Sequence, residues 1–242
     1  IILLTIHRES YLIDTFLVGF ILLSIISTII ICSYFSKKKS SNQSISYSYS
    51  YIIKKSYPIA ISTMAIFLLS TLDVIFLKKY YGDKVVAQYG VGVKIMTIIA
   101  MIIQMVNINI STKIASLFFA ENKSELRKTI KNSVRVLALF MVPCLLFVVV
   151  FSRQIVGVFG LGYLVVERTM LILIVGQGII SLCGIAPVYL NMTGRQNIFQ
   201  IILIIAVIFN FILNSYLIPS HGMEGAAVSF VISMLLWNLI VV

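Results

Sequence analysis

Long apolar stretches alternate with short polar links along the whole chain. Seven stretches are long enough to form membrane spans, at 11–35, 57–80, 85–119, 133–152, 164–192, 197–218 and from 224 to the end. A helix needs about 20 apolar residues to cross the hydrocarbon core of a bilayer. Strands of a membrane β-barrel would alternate polar and apolar residues, and runs such as 198–208 do not alternate. The pattern therefore predicts an all-α integral membrane protein.

Composition supports the same class of protein. Of the 242 residues, 60% are hydrophobic and only 11% are charged, against about 25% charged residues in soluble domains. The first residue is Ile1 and the last apolar stretch stops at Val242. We interpret the chain as part of a larger membrane domain, with its final helix truncated.

The net charge of +11 is concentrated in the links, which indicates membrane topology rather than nucleic-acid binding. If the links alternate between the two sides, one side holds 11 Lys and Arg residues and the other holds 6. The positive-inside rule places the richer side, including link 36–56, in the cytoplasm. Residues 121–135 repeat an apolar residue every four positions, at Leu126, Ile130 and Val134. They form either an interfacial helix, an extension of the next span or a solvated helix.

This topology predicts that residues 36–56 and 120–132 face the cytoplasm. A membrane-impermeant thiol reagent added to intact cells should modify a cysteine introduced at Gly82 and spare one introduced at Ser41. Modification at Ser41 without modification at Gly82 would reverse the assigned orientation.

Polar residues inside the spans are candidates for a cavity. Gln104 and Asn107 belong to a polar stripe on span 85–119, Gln177 to one on span 164–192, and Asn210 to one on span 197–218. Such stripes form either ordinary hydrogen bonds between helices or the lining of a shared cavity. Three stripes in one small bundle favour the cavity, so we expect all four side chains to face the bundle interior rather than lipid.

Two charged residues lie deep within neighbouring spans. Asp73 and Lys94 both fall about 10 to 14 Å below the outer ends of antiparallel helices. They form either a static ion pair that ties the helices together or a site for a ligand or coupling ion.

The sequence contains none of GxxxxGK[ST], HExxH or GxSxG. We therefore expect no catalytic residues, no cofactor and no metal site, and transport without ATP hydrolysis in this chain. A membrane glycan polymerase or acyltransferase would need a large external or catalytic loop, and the external links are short. A purely structural subunit would need no polar cavity.

Several short motifs, in order, resemble a known family. From residue 35 onward the chain looks like the second half of a polysaccharide (Wzx-like) flippase of the multidrug/oligosaccharidyl-lipid/polysaccharide exporter superfamily. The motifs are Tyr57-Pro58 through Asp73, Gln88 to Gly92, Phe159 to Tyr163, Gly176-Gln177, Pro187, Thr193 to Arg195, Ile218-Pro219 and Gly222 to Ala227.

The resemblance implies two six-helix lobes that form a V around a central cavity and work by alternating access. Residues 1–35 would then be the last helix of the N-terminal lobe, 36–56 a cytoplasmic interlobe linker and 57–242 the C-terminal lobe. The implied activity is translocation of undecaprenyl-pyrophosphate-linked oligosaccharide across the cytoplasmic membrane, with other polysaccharide assembly proteins as partners. Lys94 is the candidate that would meet the pyrophosphate. A cation-coupled multidrug exporter of the same superfamily, which would use Asp73, is the alternative.

Overall fold

The computed structural model describes residues 18–30, 33, 49–183 and 185–241. These residues form helices and no strand. The chain divides into two units, Ile1–Ser48 and Tyr49–Val242. Most of the predicted link at 36–56, and both ends of the predicted span 11–35, lie outside the described residues. The helices are α1 Val18–Ile30, α2 Tyr49–Tyr81, α3 Asp83–Phe119, α4 Lys123–Val150, α5 Ser152–Gly157, a 3₁₀ helix Leu161–Val166, α6 Glu167–Cys183, α7 Ala186–Met192 and α8 Gln196–Val241.

The second unit contains five helical segments that are long and apolar enough to cross a bilayer. Helix α8 is in fact a hairpin of two spans, because its backbone is non-helical at Gly222, with φ 53° and ψ −127°. The rings of Phe199 and Trp237, on opposite sides of this turn, lie 5.8 Å apart. In a straight helix they would be separated by more than 50 Å (~1.5 Å per residue). The predicted spans 197–218 and 224 to the end are therefore both present.

Helix α2 packs against the first arm of α8. Its buried residues recur at helical spacing, including Ala65, Leu69 and Leu77. The rings of Phe76 and Phe211 meet edge to face at 5.3 Å. Near the turn of α8, the Tyr81 hydroxyl donates a hydrogen bond of 3.1 Å to the carbonyl oxygen of Pro219, a residue that has no N–H with which to continue the helical ladder. The two helices thus pack together from Ala65 of α2 to the turn of α8.

Helix α4 resolves the three possibilities left open for residues 121–135. It runs without a break from Lys123 to Val150, through Pro143, so the basic segment extends the next span. The side chain of Asn122 accepts a hydrogen bond from the Glu125 N–H and caps the first turn. Leu126 and Leu137 are buried, which anchors the basic turns to the lobe.

The predicted span 164–192 is interrupted, as a proline within it suggests. Helix α6 ends at Cys183 and α7 begins at Ala186. Pro187 lies in the first turn of α7, where the missing N–H has no intrahelical partner to lose. The polypeptide therefore changes from one helix to another just before Pro187, whereas Pro143 is accommodated inside α4.

Close packing between α6 and the second arm of α8 depends on a glycine. A Cβ at Gly176 would lie 3.0 Å from the Val231 Cβ and would overlap both Val231 methyl groups. We expect Gly176→Ala to destabilise the lobe by about 1–3 kcal/mol through overpacking, because valine cannot rotate away. Gly90→Ala is the matched control, since a Cβ at Gly90 would have no neighbour within 4 Å in the part of the chain that the structure describes. Melting temperatures in detergent would test the difference, and equal melting of both variants would contradict it.

Candidate functional site

Asp73 lies in the core of the lobe, between α2, α3 and α8, with only 1% of its surface exposed. The Tyr89 hydroxyl donates a 3.0 Å hydrogen bond to Asp73 Oδ2. Asn214 Nδ2 donates a 2.8 Å hydrogen bond to Asp73 Oδ1. Tyr89 and Asn214 are themselves buried. Each carboxylate oxygen is therefore held by a neutral donor from a different helix.

The hydrogen bonds continue across the turn of α8. Asn214 Nδ2 also donates to Asn210 Oδ1 at 3.0 Å, and Asn210 Nδ2 donates to the Ser229 carbonyl oxygen at 3.4 Å. The amide oxygen of Asn214 is buried and has no hydrogen-bond partner among the described residues. We refer to Asp73, Tyr89, Asn210 and Asn214 as the Asp73 network. It joins three helices through side-chain oxygens and neutral donors.

No cation neutralises Asp73 among the residues that the structure describes. Their two ion pairs, Lys78 with Asp83 at 3.2 Å and Lys128 with Glu125 at 3.6 Å, both lie on the surface. A buried carboxylate without a positive partner is costly unless it takes up a proton or a cation. The Asp73 network therefore has the chemistry of a small cation-responsive site. The same residues contain no group of three His, Cys, Asp or Glu side chains placed to hold a metal ion.

The anticipated ion pair between Asp73 and Lys94 is not formed. Lys94 is exposed on α3, while Tyr89, five residues earlier, is buried against Asp73. Five residues rotate a helix by about 140°, so Lys94 points away from the face that carries Tyr89. The two charges have similar depth but lie on different sides of α3.

The four polar residues predicted to face the interior are not equivalent. Asn210 is fully buried, and Asn107 and Gln177 are half-buried. Gln104 is exposed, so the prediction that it faces the bundle interior is wrong. The reason is its angular position, because Gln104 lies about 100° around α3 from the buried Ile103, whereas Asn107 lies only about 40° away.

Two members of the Asp73 network, Tyr89 and Asn214, are not among the site residues that the sequence predicts. Asn214 lies four residues after Asn210, on the same helical face, and Tyr89 belongs to the motif Gln88 to Gly92, but neither position by itself indicates a contact with Asp73. A usable signal exists for Tyr89, since it shares a helical face with the apolar Met96 and Ile103. A tyrosine buried on such a face needs a partner for its hydroxyl, and Asp73 is the nearest polar residue on the preceding span.

The five helical segments that are long and apolar enough to cross a bilayer define a multi-pass membrane protein. A family model described as MatE matches residues 58–216. The chain belongs to the MatE family. This result confirms the prediction of a helical membrane transporter lobe rather than an enzyme.

A curated relative is a probable low-salt glycan biosynthesis flippase, Agl15, from Haloferax volcanii. It is 24% identical over 174 residues, which cover 72% of this chain and 37% of the relative. The chain thus spans just over a third of the length of that flippase.

Solved structures share the fold at low identity. The outward-facing conformation of a multidrug resistance MATE family transporter of the MOP superfamily superimposes with a TM-score of 0.70 at 18% identity, over 78% of this chain and 43% of that one. A MOP superfamily transporter from Pyrococcus furiosus, described as having a binding pocket of reverse polarity, gives a TM-score of 0.69 at 18% identity with the same coverage. A MATE structure in complex with MaL6 gives 0.66 at 14% identity, over 90% of this chain and 53% of that one.

Proposed function

We propose that this chain is the C-terminal part of a flippase that moves a lipid-linked oligosaccharide diphosphate across the cytoplasmic membrane for surface glycan assembly. The similarity to the Haloferax glycan flippase over 72% of the chain is the observation that carries this proposal. In this proposal residues 1–35 end the first lobe, 36–56 link the lobes and 57–242 form the second lobe. The partners are the bilayer, the lipid-linked oligosaccharide and other proteins of polysaccharide assembly.

The environment of Lys94 supports an anionic substrate. The neighbouring side chains on its face of α3 are apolar and exposed, including Ile98, Met101 and Met105 at 61%, 52% and 65%. An ammonium group placed in hydrocarbon at this depth, about 16 Å along α3 from Asp83, is expensive. The cost falls if the face lines a polar cavity between lobes. A diphosphate passing through such a cavity would find its countercharge in Lys94, and its lipid chain would contact the apolar residues.

The Asp73 network supplies a second element of the proposal, a site that binds and releases a coupling proton or monovalent cation. Asp73 contributes two carboxylate oxygens. The amide oxygen of Asn214, which accepts no hydrogen bond from the part of the chain that the structure describes, lies in the same network. Because the network joins α2, α3 and both arms of α8, a change in its charge would alter the packing of these helices. Substrate and cation would thus act on opposite sides of α3.

The second candidate function is a cation-coupled multidrug exporter. The buried carboxylate of Asp73, which has no cationic partner among the described residues, favours it, because carboxylates attract both coupling ions and cationic drugs. The structural neighbours share the fold only, at 14–18% identity. The two candidates differ in the charge of the transported molecule.

Expression of the full-length protein in bacteria that lack their own glycan flippase tests the choice. The flippase proposal expects restored surface glycan and unchanged efflux of cationic dyes. Dye efflux without any effect on surface glycan would replace it with the drug exporter.

A further inference from the structure

The first turns of α4 carry a dense basic surface. Between Lys123 and Arg135, over about 18 Å of helix, lie five exposed cationic side chains. They are Lys123, Arg127, Lys128, Lys131 and Arg135. Four of them, Lys123 through Lys131, line a shallow open depression of about 580 Å³. We call the five residues the α4 basic face.

The α4 basic face points away from the lobe. The buried residues of this part of α4 include Leu126, Thr129 and Ser133, which centre on the opposite side of the helix. Within the basic segment, Glu125 alone pairs with one of the five cations, Lys128, at 3.6 Å, and that pair is exposed. The remaining four cations have no ion-pair partner among the described residues, so the face carries a large uncompensated charge.

Directly along the same side of the helix, the basic face gives way to an apolar face. Leu139, Val142 and Leu146 are 70%, 53% and 61% exposed, and they lie on the same side of α4 as Lys131 and Arg135. Helix α4 is unbroken between the two regions. The outward side of α4 therefore carries cationic side chains over about 18 Å, followed by apolar side chains further along the helix.

We propose that this side of α4 binds anionic phospholipids, with their phosphate headgroups on the α4 basic face and their acyl chains along Leu139, Val142 and Leu146. A phospholipid has the same order of charge and hydrocarbon along its length. Clusters of four to eight Lys and Arg residues next to a membrane span are typical of anionic-lipid recognition. Nucleic acid matches the charge but cannot occupy the apolar part of this side. This inference does not depend on which substrate the protein transports.

The test measures which lipid contacts α4. The variant Leu139→Trp of the full-length protein is reconstituted in nanodiscs, and brominated acyl chains quench the fluorescence of the new tryptophan. Subtracting the fluorescence of the parent protein isolates the signal of that tryptophan. We expect brominated phosphatidylglycerol to be preferred over brominated phosphatidylcholine by about fivefold for each headgroup contact. The preference should fall in 1 M salt, which screens such contacts.

The matched variants separate this surface from general positive charge. Arg127→Gln with Lys131→Gln should lower the preference for phosphatidylglycerol by at least about fivefold, the loss of one headgroup contact. The control, Arg153→Gln with Lys84→Gln, removes one Arg and one Lys from exposed positions elsewhere and should leave the preference unchanged. Equal quenching by the two lipids, an equal loss in the control pair, or displacement of phosphatidylglycerol by inorganic phosphate would each overturn the proposal.

Discussion

Asp73→Asn is expected to abolish coupled transport while leaving the lobe folded. Asparagine has the same shape as aspartate and can still accept the hydrogen bond from Tyr89 or from Asn214. It has no charge, however, and therefore cannot exchange a proton or hold a monovalent cation. If the coupling cation loses about 1.4 kcal/mol of binding free energy, its occupancy at limiting concentration falls tenfold. We expect transport to decrease by at least that factor and to lose its dependence on the cation gradient.

Two further variants separate charge from folding. Asp83→Asn removes the same charge from an exposed residue, whose side chain is 84% exposed and pairs with Lys78, and should transport normally. Asp73→Ala removes the acceptor of the Tyr89 hydroxyl and of one N–H of Asn214, which keeps its other hydrogen bond to Asn210. Each donor left unpaired costs about 1–3 kcal/mol. Asp73→Ala should therefore melt at a lower temperature than Asp73→Asn. Normal, gradient-dependent transport by Asp73→Asn would remove the Asp73 network from the mechanism.

Lys94→Ala is expected to leave the protein folded and to trap lipid-linked oligosaccharide in the inner leaflet. Lys94 is exposed on the lobe, so its removal leaves no unpaired group in the core. A charged hydrogen bond contributes about 1.5–3 kcal/mol, and its loss would weaken diphosphate binding roughly ten- to a hundredfold. Lys94→Arg keeps the charge and should retain partial activity. Accumulated lipid-linked oligosaccharide in spheroplasts and surface glycan on intact cells would measure the two effects.

Lys84→Ala is the control for the loss of one lysine from α3. Lys84 is also exposed, but it lies in the first turn of the helix, where its ammonium group can reach water. It should export glycan normally. Normal export by Lys94→Ala as well would show that Lys94 does not contact the substrate.

The spans could be predicted because hydrocarbon thickness fixes the length of an apolar stretch. Span 85–119 corresponds to α3 at Asp83–Phe119, and the reversal at Gly222 falls in the short link between the predicted spans 197–218 and 224 to the end. The first residue of α2 could not be predicted in this way. The helix begins at Tyr49, before the predicted span 57–80, in a Lys-, Ser- and Tyr-rich segment without an apolar pattern. Helix outside the bilayer is limited by hydrogen bonding and capping rather than by hydrophobic length.

The sequence predicts how deep the charged residues of the candidate site lie along their helices, but not the directions in which their side chains point. Counting residues along α2 and α3 placed Asp73 and Lys94 at similar levels, and depth depends only on the rise per residue. Whether two side chains meet depends on the rotation of each helix, which packing decides. In α3 that packing buries Tyr89, Gly92 and Met96, so the hydroxyl of Tyr89 rather than the ammonium group of Lys94 reaches Asp73. Asn214 contacts Asp73 although the two residues are 141 positions apart in the chain, and no local sequence pattern indicates such a contact.

Translocation by the purified full-length protein tests the central claim most directly. Proteoliposomes would contain undecaprenyl-diphosphate-linked oligosaccharide with a fluorescent label on the sugar, and a membrane-impermeant reductant would bleach only the label exposed outside. The flippase proposal predicts that the protected inner-leaflet label becomes bleached in the presence of the protein, and that it stays protected with Lys94→Ala. Uptake of a cationic dye in exchange for cations would show that the protein in the vesicles is active. If the inner-leaflet label stays protected in such vesicles, the proposal is contradicted.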